Sequence, residues 1–237
     1  MPRQENKLTA IILQARIDSS RLPGKALLPL DGMPLLFRVM EALNRVGADL
    51  RILACPADSV QIFTPIAREA GFIIFSGPKE DVLERYCMVI RKFSIDRIIR
   101  ATGDNPFVFA DAANTLNDEA KALGADYAGY TELPHGAGVE SISAGSLLRA
   151  AKETDIQYDH EHVCPYLYNN PQLFNLHRPF APLPLRCPDI RITVDTQEDF
   201  EKAVFLHSAL KNEPNRHNGP VIIDTYKKVF YSSVQNQ

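Results

Sequence analysis

Four short apolar runs, separated by stretches of helical spacing, constrain the fold of this chain most. The runs are Ala10 to Leu13, Leu50 to Cys55, Phe72 to Phe75 and Arg97 to Ala101. Short aliphatic runs of this kind are how strands buried on both faces read. Between them Leu36, Val39, Met40, Leu43 and Val46 recur at helical spacing. So do Ile62, Phe63, Ile66, Ala67 and Ala70, and then Val82, Leu83, Tyr86, Ile90 and Phe93. Gly47 and Gly71 are placed to stop the first two helices, and Asp58 to cap the second. This alternation predicts an α/β fold with a mostly parallel central sheet flanked by helices.

The second half is less regular. A helix is expected from about Asp111 to Leu123, a strand over Asp126 to Tyr130, and helices over Ala144 to Glu153 and Glu161 to Tyr168. The stretch LPHGAGVES (133–141), with its two glycines, reads as a loop facing a site. Residues 171–188 carry five prolines and read as extended surface chain. Ile190 to Val194 reads as a strand ending in Asp195. Thr196 can cap a following helix with Phe200, Ala203, Val204, His207 and Leu210 on one face. Lys211 to Pro220 is polar, and Ile223, Tyr226 and Phe230 predict a last amphipathic helix that covers the core or pairs with another copy.

The 237 residues suffice for one domain with a sizeable core. A formal net charge of -3 gives no bulk attraction to nucleic acid or an anionic membrane, so any cationic function must be local. The four cysteines are widely spaced, with no C-x-x-C, and read as reduced thiols rather than a zinc site or disulfide framework. The polar start MPRQENK and the short apolar run after it predict no signal peptide and no membrane span, hence a cytoplasmic location.

The local cations follow the first strand. The loop after it carries Arg16, Arg21 and Lys25 with Ser19, Ser20 and a single acid, Asp18, before Pro23-Gly24 turns the chain. Ligands of open α/β sheets sit outside the carboxyl ends of the strands, so this loop suits a polyphosphate. It is neither a P-loop, since Ser19 and Ala26 stand where Gly and Ser/Thr belong, nor a G-x-G-x-x-G turn. Phosphates would therefore be held mainly by side chains, and composition alone leaves a solvated basic loop open. Asp104, after Thr102-Gly103, and Asp195 each end an apolar run. Two carboxylates at one sheet edge could share a hard cation, or could be a turn residue and a helix cap. Arg100 could reach an anionic group or pair with an acid. His160 and His162 point to different helix faces and are not expected to share a metal.

The run QAR-x-x-S-S-R-L-P-G-K (14–25) closely resembles the nucleotide loop of the sugar cytidylyltransferases, nearest to the spore-coat polysaccharide biosynthesis branch. The 3-deoxy-manno-octulosonate cytidylyltransferases are more distant. RATGDNP, EHVCPYLY and RITVDTQEDF follow in the family order, and the resemblance covers roughly residues 8–210. It implies a nucleotide-diphospho-sugar transferase (GT-A-like) fold in a single domain over 1–237, with its core at about 8–210 and a helical extension at about 220–232. It implies transfer of CMP from CTP to a small acceptor, Mg²⁺ on Asp104 and Asp195, and a homodimer. Catalytic roles are implied for Arg16, Arg21, Lys25, Asp104 and Asp195. The nucleotide would lie against Leu13, Gln14, Ala15, Arg16, Ser19, Ser20, Gly24, Lys25, Thr102 and Gly103. The acceptor would lie against Arg100, Asn105, Glu140, His162 and Arg191.

Three residues depart from the family pattern. Asp18 stands where the loop commonly has Gly, and adds negative charge beside phosphates. Gly138 and Phe109 replace aspartates expected on the acceptor side, which predicts a less acidic pocket and an anionic acceptor, a sugar acid or phosphorylated small molecule. A glycosyltransferase of the same fold would place a D-x-D at a strand end, and none occurs. An inactive nucleotide-binding module of a polysaccharide pathway is the other reading, kept open by Asp18.

Overall fold

The computed structural model describes residues 7–231. Strand β1 (Thr9–Gln14) is buried on both faces, as its aliphatic run predicts. Ile11 and Leu13 enter one apolar cluster, Ala10 and Ile12 the cluster on the other side of the sheet. A loop, a short 3-10 turn (Lys25–Leu27) and a small hairpin of β2 (Pro29–Leu30) and β3 (Met33–Pro34) lead to α1 (Leu35–Leu43). Then follow β4 (Leu50–Pro56), α2 (Ala57–Glu69), β5 (Ile73–Gly77), α3 (Val82–Phe93) and β6 (Arg97–Thr102). The alternation read from the sequence is therefore present, and β4, β1 and β6 run parallel side by side.

Asp58 is not the cap of α2. The helix begins two residues earlier, at Ala57 after Pro56, and Asp58 sits in its first turn, accepting from Ser59 Oγ and Lys79 Nζ. Ile62, expected on the inner face, is largely exposed, while Phe63 and Ala67 are buried. Asp81 caps α3 by accepting from the amide of Glu84 at 2.8 Å.

The later elements are α4 (Ala110–Ala122), β7 (Tyr127–Ala128), β8 (Glu140–Ser143), α5 (Ala144–Glu153), α6 (Gln157–His162), α7 (Pro165–Asn169), β9 (Leu176–His177), α8 (Gln197–Leu210) and α9 (Gly219–Phe230). Among the described residues the main sheet has seven strands in the order β5-β4-β1-β6-β8-β7-β9. β8 is antiparallel to both of its neighbours. Strand order reverses at β1, because β4 and β5 lie to one side and β6 to the other. The carboxyl ends of β1 and β6, where Gln14 pairs with Thr102, thus flank the crevice in which open α/β sheets bind ligands.

Five expectations are corrected here. The end of LPHGAGVES is not loop: Glu140 begins β8, in the interior of the sheet. The single helix over 161–168 is two, α6 and α7, broken at Val163, whose φ of 75° is a conformation that β-branched residues avoid. Ile190 to Val194 is extended but joins no sheet; apart from a turn bond from Ile190 N to Cys187 O, its backbone meets His135 and Asp104. On α8, Val204 faces solvent and Leu206 the core. Residues 171–188, expected as extended surface chain, open in a turn at 171–173, add β9 to the sheet and form a 3-10 turn at Leu183–Leu185, with Phe174, Ala181 and Leu185 buried.

Helix α9 buries Ile222, Ile223 and Tyr226 in a cluster with Ala203, Leu206 and Leu210 of α8, so it covers the core. Phe109 is wholly buried in that same cluster and does not face an acceptor, which corrects its expected place. Ser232, the last residue of the expected extension, and the polar start before Lys7 lie outside the described residues.

Candidate active site

Gly103 lets the chain cross the end of β1. Its amide donates to Gln14 O at 2.8 Å, and a side-chain Cβ there would lie 2.8 Å from Ala15 Cβ. Asp104 follows at once, its Oδ1 accepting from Thr102 Oγ1 at 2.6 Å. The extended segment before α8 then lies against Asp104, with Val194 N donating to Asp104 O at 2.9 Å. Asp195 therefore reaches the site from outside the sheet, not from a strand end. It is held there by α8, whose first turn is closed by Thr196 and Asp199, each accepting from the other's amide.

Gly24, in the left-handed conformation, starts the 3-10 turn that carries Lys25. Nζ of Lys25 lies 3.1 Å from Asp104 Oδ2, 3.1 Å from Asp195 Oδ1 and 2.9 Å from Val194 O. The two carboxylates are thus no further apart than twice the first distance. Arg21 Nη2 donates to Asp195 Oδ1 at 2.9 Å, and Arg191 Nη2 to Asp195 Oδ2 at 2.6 Å. Burial pushes the Asp195 carboxyl up, but the hydrogen bond and charge of Lys25, with Arg191 and Arg21, outweigh it and hold the pKa below the usual aspartate value.

Oxygen donors on two carboxylates that already meet on one cation fit a hard metal ion whose other ligands come from phosphate oxygens and water. Among the described residues no third His, Cys, Asp or Glu completes such a group. His160 pairs with Asp81 and faces Thr154 O, while the ring of His162 packs on Tyr158, so the two share no site.

Two cavities adjoin at Thr102. The first, of about 310 Å³, is lined by Gln14, Ala15, Arg16, Ser19, Ser20, Arg21, Lys25, Gly103, Asp104 and Asp195, so the expected nucleotide residues largely converge. Two do not. Leu13 is wholly buried in the core, and Gly24 shapes the turn without lining the cavity. Lys79, Arg85 and Glu161 line it without having been singled out, and His162 lies here rather than beside the acceptor residues. Asp18 also lines it, with a backbone that is not left-handed, and its charge is met by Lys79 Nζ at 2.6 Å. The second cavity, of about 280 Å³, brings together Arg100, Asn105, Glu140 and Gly138 as expected, and adds Tyr127, Tyr130, Thr131 and Arg178. Arg100 is paired with Glu140 across β6 and β8, and Tyr127 OH donates to the other carboxylate oxygen at 2.7 Å. Burial works against the charge on Arg100, and Glu140 more than offsets it. Arg191 lines neither cavity. It binds Asp195 and Asp199, which makes it a positioning residue for the carboxylate pair rather than an acceptor contact.

The basic loop, the carboxylate pair and the adjoining cavity lie in a chain that a family model described as cytidylyltransferase matches over residues 10–233. The chain belongs to the cytidylyltransferase family. It is similar to the spore coat polysaccharide biosynthesis protein SpsF of Bacillus subtilis (strain 168), with 32% identity over 212 residues, 86% of this chain and 88% of the relative. A solved cytidylyltransferase of Leptospira borgpetersenii superposes with a TM-score of 0.86 at 25% identity, covering 98% of both chains. A CMP:2-keto-3-deoxy-manno-octonic acid synthetase complexed with CTP shares the fold, with a TM-score of 0.67 at 18% identity over 85% of this chain and 99% of that one. This cytidylyltransferase is therefore a nucleotidyltransferase, and the D-x-D glycosyltransferase reading falls away. No helix among its described residues is long and apolar enough to cross a membrane.

Proposed function

We propose that this cytidylyltransferase transfers CMP from CTP to a small anionic acceptor, a sugar acid or a phosphorylated small molecule, with release of pyrophosphate. The first cavity takes CTP and the second the acceptor. An acceptor oxygen attacks the α-phosphorus in line, the bond to the bridging oxygen breaks, and its electron pair leaves with pyrophosphate. Arg16, Arg21 and Lys25 neutralise the triphosphate and the charge that grows on the leaving group. Asp104 and Asp195 would hold Mg²⁺, which when bound supplies polarisation of the α-phosphate. Arg191 and Asp199 keep the Asp195 carboxylate facing Lys25. Supply of an activated sugar for surface polysaccharide or glycan synthesis in the cytoplasm, by a homodimer, belongs to the same reading. The polysaccharide role is supported by the likeness to SpsF, and the dimer by family resemblance alone.

The observation that carries this reading is the meeting of Asp104 and Asp195 on Lys25 at the join of the two cavities. Because Lys79 meets the charge of Asp18, that departure from the family loop is no argument for an inactive module. The test is pyrophosphate release with each of the four NTPs across a panel of acceptors. The expected result is release with CTP and an anionic acceptor. CMP transfer to neutral sugars at rates matching every anionic acceptor would overturn the acceptor assignment, and no CTP-dependent release with any acceptor would overturn the reaction.

A further inference from the structure

The charges of the second cavity do not cancel. Arg100 and Glu140 neutralise each other, and Glu140 is further satisfied by the hydroxyl of Tyr127 and the thiol of Cys164. Arg178, just past β9, lines the same cavity, and no carboxylate among the described residues pairs with it. Its guanidinium carbon lies 5.2 Å from the centroid of the Tyr168 ring. Stacking of this kind steadies the guanidinium through its face and leaves the N–H donors at its edge free. Two further polar atoms of cavity residues are buried and without partners, Oδ1 of Asn105 and Nε of Arg100. Neither of these two atoms is accessible from the cavity, so the free charge that the cavity presents is the fork of Arg178. Its volume of about 280 Å³ suits one small molecule rather than the end of a polymer, since small-molecule sites run roughly 300–1,000 Å³.

We propose that Arg178 holds the anionic group of the acceptor, a carboxylate or phosphate ester on a polyhydroxylated small molecule. The inference rests on reading the second cavity as the acceptor site. A guanidinium binds either anion through two parallel N–H groups. Arg100 can do so only by leaving Glu140, which would deprive a half-buried carboxylate of its cation. Arg178 has no such partner to leave. Selectivity for an anion therefore resides on the strand-β9 side of the cavity, in a residue that belongs to none of the recognisable sequence motifs.

The test is direct binding to the full chain by ligand-observed NMR. Hexuronates, aldonates and hexose phosphates are compared with the matching neutral sugars. The expected result is that the wild type binds at least one anion about tenfold or more tightly than its neutral counterpart, the scale of a charge-assisted pair. Arg178→Gln loses that advantage while its weaker binding of neutral sugars is retained, and Arg178→Lys keeps part of it. Whether uronates or phosphates gain more identifies the anion. Equal binding of anions and neutral sugars by the wild type, no binding of any probe, or an advantage that survives in Arg178→Gln overturns the proposal. Pyrophosphate release is read separately: a wild type that binds anions through Arg178 but releases none from CTP would overturn the transfer reaction and leave the Arg178 assignment standing.

Discussion

Asp104 and Asp195 face each other across the ammonium group of Lys25, each with one oxygen at 3.1 Å from it. Carboxylates this close repel unless a cation stands between them. Lys25 supplies that cation, and its ammonium lines the first cavity. Its two partners come from the end of β6 and the start of α8, so one side chain ties together the two halves of the site.

Replacing Lys25 with Ala should weaken CTP binding roughly 10–100-fold, as loss of a charge-assisted contact does. CMP lacks the β- and γ-phosphates and should be affected far less. Titration calorimetry with both nucleotides measures the difference. Equal losses would show that Lys25 does not sense the triphosphate tail.

Lys79 meets Asp18 at 2.6 Å and Asp58 at 3.0 Å, and its pKa is raised, first by the hydrogen bond to Asp18. Lys79→Ala should therefore leave Asp18 with only its 4.0 Å contact to Arg16 and raise the KM for CTP. In Asp18→Gly the same lysine change should cost less, because the charge it compensates is gone. A double-mutant cycle on KM checks the coupling, and strictly additive effects would refute it.

Gly136 has a φ of 96°, and a Cβ on it would fall 2.6 Å from the backbone nitrogen of Thr193. Thr193 belongs to the extended segment that delivers Asp195. Gly136→Ala should thus combine backbone strain with displacement of that segment, lowering stability by about 1–3 kcal/mol and activity by a larger factor than stability alone explains. Chemical denaturation alongside turnover separates the two. Unchanged values of both would mean that the close approach matters little.

The first half of the chain was legible because its strands are continuous aliphatic runs and its helices carry clear apolar spacing. The basic loop and the two aspartates stand out because each follows such a run, but position alone leaves the aspartates open between a metal pair and a turn with a helix cap, and only the family resemblance implies the metal role. β8 was missed because its sequence, ESIS, has one aliphatic residue, and its buried Ser141 is accommodated by accepting from Arg97 and donating to Asn117. Ile190 to Val194 misled in the opposite sense. Its alternating apolar residues are buried under α8 and α9, so the burial is real although no ladder forms. Arg191 was assigned to the acceptor because residue type cannot tell a ligand contact from a brace on Asp195. Lys79 and Arg178 escaped notice because they gain meaning only from neighbours distant in sequence, Asp18 and the second cavity.

His160 gives the structure a pH dependence. Its Nδ1 lies 2.9 Å from Asp81 and its Nε2 3.0 Å from Thr154 O, and these bonds, Asp81 first, raise its pKa above 6.5. A raised folded-state pKa means that the contribution is fully present below the unfolded value of 6.5 and is lost as pH rises through the folded value. Helix α6, which carries His162 into the first cavity, should then loosen on the alkaline side. Hydrogen exchange of its amides, corrected for intrinsic rates, should quicken as pH rises above 6.5, and His160→Asn should flatten that dependence. A wild-type profile already flat would contradict this role.

On the proposed reading Asp104 and Asp195 hold the metal that meets the α-phosphate of CTP. Anomalous diffraction from crystals holding CTP and Mn²⁺, as a stand-in for Mg²⁺, should then show a manganese peak within roughly 2.0–2.3 Å of an oxygen from each carboxylate and of an α-phosphate oxygen, with Lys25 turned toward the phosphates. The peak should be lost in Asp195→Asn. CTP bound in the first cavity with manganese elsewhere, or with a peak that survives in both Asp104→Asn and Asp195→Asn, would contradict it.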